Sequence, residues 1–317
     1  MVDKHFLDDF VQKWIYGGEK TQLFAYLYGR YETREGSNGI REIALVYSLY
    51  TPKQSWRNGK IVLERDPNQQ NVNALAKLLN LQIVGCVMTS PPRTEYLSSF
   101  EVDFIAPLQY ANRQRGDYLS KFVTVVISRN EKKQIEPTAF MLSDQCLCMH
   151  RDGLFLQPQK ADKCRSTTTN KYKELLSSVI QNDEKLGSRE VTEFEPLFFL
   201  VELTVTMAKI TANYHPIFKS HSFPEINSSQ ETKDTLYRIL LYLFLLVGEL
   251  VEHLKRGRSS GFAMMSVLSD FNLLVQLGIV IGVDNLPSIC QYILNDKPFS
   301  DDIMVDFLQF ILYGRDY

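Results

Sequence analysis

The sequence predicts an α+β fold, a mixed β-sheet flanked by helices and followed by a mostly helical C-terminal region. Apolar runs of strand length, rich in aromatic and β-branched residues, recur through the first two thirds of the chain, and helical periodicities interrupt them without a repeated strand-helix alternation. From residue 231 onward helical signals dominate. With 317 residues, 44% hydrophobic and 12% aromatic, the chain can bury a large core, and 23% charged residues are ordinary for a folded, soluble protein.

The first element is "DKHFLDDFVQKWIY", where Phe6, Phe10 and Trp14 recur at steps of four with Leu7 and Val11 alongside, a helix that stops at Gly17-Gly18. "TQLFAYLYGRY" is apolar on both parities and reads as a strand covered on both faces. A turn from Gly36 to Gly39 joins it to "IREIALVYSLY", making a hairpin. "PNQQNVNALAKLLNL" is a helix with Val72, Leu75, Leu78 and Leu79 on one side, and it leads into the strand "LQIVGCVMT". After a less regular stretch come the strand "SKFVTVVISRN" and then "EPTAFMLSDQCLCMHRDG", read as a strand and a turn. Residues 157–194 turn polar and read as a long surface insertion with one short helix in "YKELLSSVI". "PLFFLVELTVTM" resumes as a buried strand.

The loop "HPIFKSHSFPEINSSQ" places a boundary near 222, dividing the chain into 1–222 and 223–317. Four helical segments follow, "ETKDTLYRILLYLFLLVGELVEHLKRG", "SGFAMMSVLSDFNLLVQLGI", "NLPSICQYILND" and "SDDIMVDFLQFILYG"; the second begins after Ser259-Ser260 and the last after Ser300-Asp301.

A formal net charge of -2 and a pI near 6.2 give no electrostatic footprint for nucleic acid. "MVDKHFLDDF" lacks the apolar core of a signal peptide. The apolar run "ILLYLFLLVG" at 239–248 is far short of the roughly 20 residues of a membrane span, so no membrane insertion is expected. The five cysteines suit no disulfide framework. Motifs for nucleotide or cofactor phosphates and HExxH are missing, so no cofactor is expected.

The strand ending in "VMTSPP" invites a chemical reading. Side chains two apart on a strand share a face, so H-x-H there could hold zinc, with a later acid as ligand and an upstream Glu as general base. The positions hold Met88 and Ser90 instead, and neither substitutes for imidazole. A methionine on a strand more often fills a core.

Five stretches in this half, "FAYLYGRY", "LQIVGCVMTSPP", "YLSSFE", "SKFVTVVI" and "LSDQC", resemble the nuclear protein localization protein 4 family, and "PLFFLVELTVTM", "HSFPEI" and "SDFNLLVQL" continue the likeness in the same order, from about residue 3 to about 312. The resemblance implies an MPN domain, related to the zinc-dependent JAMM deubiquitinases, joined to a helical C-terminal domain. On it, the catalytic Glu of an active enzyme corresponds to Gln22, its two histidines to Met88 and Ser90, and its Ser-x-x-Asp to Ser98 and Glu101. Only the serine matches, so the resemblance implies binding without hydrolysis and no zinc. It further implies capture of ubiquitin or polyubiquitin chains for the valosin-containing protein AAA ATPase, together with a ubiquitin fusion degradation partner protein. The setting would be ubiquitin-dependent degradation, including the ER-associated kind, in cytoplasm and nucleus, with peripheral contact to the ER and nuclear envelope through partners. Family members typically begin with a ubiquitin-like domain and zinc fingers that dock the ATPase; no stretch before Phe6 and no paired CxxC corresponds to them, so ubiquitin binding is the firmer expectation and direct docking the weaker. The ubiquitin-contacting residues are not legible.

One rival metal cluster is "CLCMH", since Cys146, Cys148 and His150 would share a face if the segment were a strand. The spacing matches no usual zinc-finger pattern, and buried free cysteines are the more common reading. Cys146 with His150 as a protease pair lacks an orienting residue. His215 and His221 flank prolines in a loop and His253 falls near a helix C-terminus, so all three read as structural or solvated.

Overall fold

The computed structural model describes residues 1–36, 39–91, 96–113, 120–166, 180–183, 187–190, 193–208, 217–218, 265 and 267–300. A two-residue strand β1 (Val2–Asp3) precedes helix α1 (Lys4–Tyr16), which buries Leu7, Phe10 and Trp14. Strands β2 (Phe24–Gly36) and β3 (Gly39–Tyr50) form the expected hairpin, closed by Gly39 at φ 100°. A second, smaller hairpin follows, β4 (Gln54–Arg57) and β5 (Lys60–Leu63). Helix α2 (Gln69–Leu78) then leads into β6 (Gln82–Thr89), as the periodicity predicts.

Beyond β6 the chain forms α3 (Ser99–Ala111), β7 (Val123–Arg129), β8 (Ile135–Leu142), α4 (Asp144–Arg151), β9 (Phe155–Lys160) and β10 (Lys163–Ser166). A hairpin of β11 (Ile180–Asp183) and β12 (Gly187–Glu190), the bridge β13 (Glu193–Phe194), a 3-10 turn (Pro196–Phe199), β14 (Leu200–Leu203) and β15 (Met207–Ala208) come next. Helices α5 (Phe271–Ile281) and α6 (Pro287–Leu294) complete the described elements.

The main sheet has eight strands in the order β14-β8-β7-β6-β2-β3-β1-β15. β6 and β7 are parallel, joined by the α3 crossover, while β2-β3, β2-β6, β7-β8 and β8-β14 are antiparallel, so the sheet is mixed and the class α+β. Two glycines are sterically required: a Cβ on Gly29 would overlap the Leu45 carbonyl oxygen, and one on Gly85 the Val123 carbonyl oxygen.

The sheet separates two hydrophobic cores. On one face Leu27, Val87, Val125 and Ala139 pack with α1, α2, α5 and α6; Tyr28 and Phe271 bring their ring centroids within 5.8 Å, so a C-terminal helix shares the first core. On the other, Phe24, Cys86, Met88, Val126 and Phe140 pack with α3, α4, β10 and the 3-10 turn. The alternation Cys86/Val87/Met88 between the two cores is strand parity made visible.

Several expectations are corrected. The less regular stretch holds the 13-residue α3, despite Pro107 inside it. The segment "CLCMH" is helical: Ser143 caps α4, accepting from the Cys146 amide at 3.3 Å. The two ends of the polar insertion meet in an ordered three-stranded sheet, β13-β10-β9, that buries Cys164 and Phe194 in the second core. "PLFFLVELTVTM" is not a buried strand, because Pro196 opens a 3-10 turn and β14 pairs only with β8 among the described residues, leaving Val201 48% exposed. The helix expected across "SGFAMMSVLSDFNLLVQLGI" is interrupted: Asp270 caps α5, its carboxylate accepting from the amides of Asn272 and Leu273. The helices expected over 231–257 and 302–314, the body of "YKELLSSVI", and His215, His221 and His253 lie outside the described residues.

Candidate functional site

Gln22 sits just before β2, Met88 near the end of β6 with Ser90 beyond it, and Ser98 and Glu101 open α3. All five are buried. Gln22, Met88 and Glu101 converge on a pocket of about 340 Å³, walled by α3 through Phe100, Asp103 and Phe104 and by the β4-β5 hairpin through Lys60. Ser90 is not among the lining residues; its amide donates to the Ile127 carbonyl at 2.8 Å, and its hydroxyl lies 3.2 Å from the Pro91 carbonyl.

Ser98 and Glu101 form a capping box. The Glu101 amide donates to Ser98 Oγ at 3.4 Å, and Glu101 Oε2 accepts from the Ser98 amide at 2.6 Å and from its hydroxyl at 2.9 Å. The other carboxyl oxygen of Glu101 accepts from Gln22 Nε2, a contact between residues 79 apart in sequence. Both oxygens are thereby committed.

The pocket's remaining charged groups lie on opposite walls. The Lys60 ammonium stands 4.3 Å from the Phe100 ring centroid, a cation-π contact. Burial raises the Asp103 pKa above the usual carboxylate range, and nearby His150 and Lys60 oppose the shift. The lining is otherwise largely apolar and carries no imidazole. The five positions make no zinc ligand set: Met88 offers a thioether, Ser90 and Ser98 hydroxyls and Gln22 an amide, and the one acid, Glu101, is held by Gln22 and Ser98.

The rival cluster separates on the helix. Residues two apart on α4 lie about 200° around its axis, so Cys148 points away from Cys146 and His150. Cys146 is fully buried, and burial pushes its thiol above the ordinary range. Among the described residues no group of three or more His, Cys, Asp or Glu could hold a metal ion.

The sequence reading missed Lys60, Phe100, Asp103 and Phe104 as pocket walls. A usable signal was present, since Ser-x-x-Glu ahead of an apolar run marks a helix N-terminus.

Comparison with known proteins adds what geometry alone does not. Residues 23–298 match the NPL4 family. The human nuclear protein localization protein 4 homolog is 27% identical over 306 residues, covering 87% of this chain and 47% of the human protein. The Drosophila melanogaster homolog is 26% identical over 194 residues, covering 54% of the chain and 29% of its own length. Nuclear protein localization protein 4 of Meyerozyma guilliermondii is 32% identical over 164 residues, 45% of this chain and 28% of the yeast protein. The chain thus spans about half the length of the human relative. The match takes in Met88, Ser90, Ser98 and Glu101, with Gln22 immediately before it, and extends across most of the described fold: the chain belongs to the NPL4 family.

Proposed function

We propose that this chain is a non-catalytic ubiquitin-binding cofactor, which recruits polyubiquitylated proteins to the valosin-containing protein AAA ATPase for unfolding ahead of degradation. The observation that supports it is the site: Met88 and Ser90 stand at the positions that the family resemblance matches to the histidines of hydrolytic enzymes, and Glu101 serves as a helix cap bonded to Gln22. Family membership supports the cofactor role. The reading includes an inactive MPN-like region over 1–222, a helical region over 223–317, action with a ubiquitin fusion degradation partner protein, and a part in ER-associated degradation in cytoplasm and nucleus.

The test is binding of the purified chain to ubiquitin chains of defined linkage, with monoubiquitin as control and the same samples assayed for cleavage. Saturable chain binding without cleavage is expected. No binding by folded protein would favour an MPN scaffold subunit in a larger assembly, and cleavage would overturn the non-catalytic reading.

A further inference from the structure

Three consecutive residues, 22–24, leading into β2 are each tied to a different element around the pocket. Gln22 donates its side-chain amide to Glu101 on α3. Leu23 pairs with Thr89 at the end of β6: its amide donates to Thr89 Oγ1 at 2.8 Å, and its carbonyl accepts from the Thr89 amide at 2.9 Å. Phe24 pairs with Gln54 of β4, donating its amide to Oε1 at 2.9 Å and accepting from Nε2 at 2.7 Å. The Phe24 ring also meets Phe104 of α3 edge to face at 5.2 Å. Both pocket walls are therefore referenced to one tripeptide.

We infer that residues 22–24 form a junction that fixes the pocket's shape, with Glu101 as a positioning residue acting across the chain and not only as the cap of its own helix. Whatever the pocket receives, the junction governs how its two walls are held. A carboxylate bonded by a buried amide, a backbone N-H and a hydroxyl is a strong, directional tie, and loss of one partner leaves a buried polar group without its bond. A local cap would influence only the first turn of α3. A junction couples that turn to the amides of Leu23 and Phe24 and, through Gln54, to the small hairpin.

Amide hydrogen exchange on the full chain distinguishes the two. In Gln22→Glu, where two carboxylates would face each other, exchange at Leu23, Phe24 and the first turn of α3 should quicken together by about tenfold or more, the loss of one charge-assisted bond. Gln22→Leu, which removes the donor without adding charge, should give the same pattern more weakly if Gln22→Glu does not fold. The exchanged pair Gln22→Glu with Glu101→Gln restores an amide facing a carboxylate, and should return these rates to within about twofold of the parent. Ser98→Ala should affect the α3 turn alone. Unchanged exchange at Leu23 and Phe24 in both position-22 variants, or no rescue by the exchanged pair, would overturn the junction and leave Glu101 a helix cap only.

Discussion

The two faces of the sheet are built by different means. The first is covered by α1, α2, α5 and α6 through Leu7, Phe10, Trp14, Leu75, Leu79, Phe271 and Ile289, which join one apolar core among the described residues. The second is covered by α3, α4 and the β9-β10 sheet, which bury carboxyl, amide and thiol groups among the aromatics and leave the pocket open between α3 and β5. Apolar burial dominates on the first face, whereas a face that keeps a pocket must also hold its edges with directional bonds. Gln22, Ser98, Glu101 and Gln109 supply those bonds.

The harshest way to break this contrast is to disturb the sheet that both faces share. Gly85→Ala forces a Cβ into the Val123 carbonyl oxygen, so chemical denaturation should record a loss above about 4 kcal/mol, or no folded protein. The contrast sharpens with one truncation on each face. Phe271→Ala empties the closed core and should cost about 3–5 kcal/mol, while Met88→Ala beside the pocket should cost about 2 kcal/mol, because less of its void is enclosed. Equal losses would mean that the pocket wall is packed as tightly as the core.

Between pH 9 and 10, below the range where the buried tyrosines of the first core would ionise on unfolding, alkali should act chiefly on the second face. Burial pushes the thiols of Cys86 and Cys164 from about 9.0 up to about 12, and that of Cys146 higher still, all in the second core. These thiols stay protonated in the folded chain while the unfolded chain loses protons above pH 9. The thiols' contribution is therefore full below that pH and falls as pH climbs above it, by about 1 kcal/mol per thiol over the first unit. Denaturation midpoints between pH 8 and 10 should show the decline, and replacing the three cysteines by Ala should flatten it. A like shift on Cys290 in the first core would survive that replacement. The smallest effect is expected from Ser98→Ala, about 1 kcal/mol for a lost N-cap.

The sequence was legible where one physical signal dominated. The apolar stripe of α1, the β2-β3 hairpin with Gly36 and Gly39, and α2 leading into β6 are all read correctly, and they all contribute to the first core. The second face is harder because its signals conflict. Pro107 argues against a helix that the capping box and the packing of Val102, Ile105 and Ala106 nevertheless stabilise. Alternating Cys146, Cys148 and His150 imitate a strand, yet Ser143 and Asp144 at its start favour the α4 helix. Gln22 and Glu101 were singled out in the sequence for the chemistry they lack, but their bond to each other spans 79 residues, and no local pattern encodes it.

Helix α3 is fastened at both ends. Near its start Glu101 is bonded to Gln22 and Ser99 donates to the Lys160 carbonyl; near its end the Gln109 amide pairs with both backbone groups of Leu142, each at 2.9 Å, as a neighbouring strand residue would. The pins are eight residues apart, about 12 Å along the axis. A beam held at two such points can neither slide nor swing without breaking one of them. The opposite jaw is a hairpin of two four-residue strands that pair only with each other among the described residues. The helix is then the stiff jaw and the hairpin the compliant one, so the arrival of a guest in the pocket should register in the amides of Lys60 to Leu63 before it registers in those of α3.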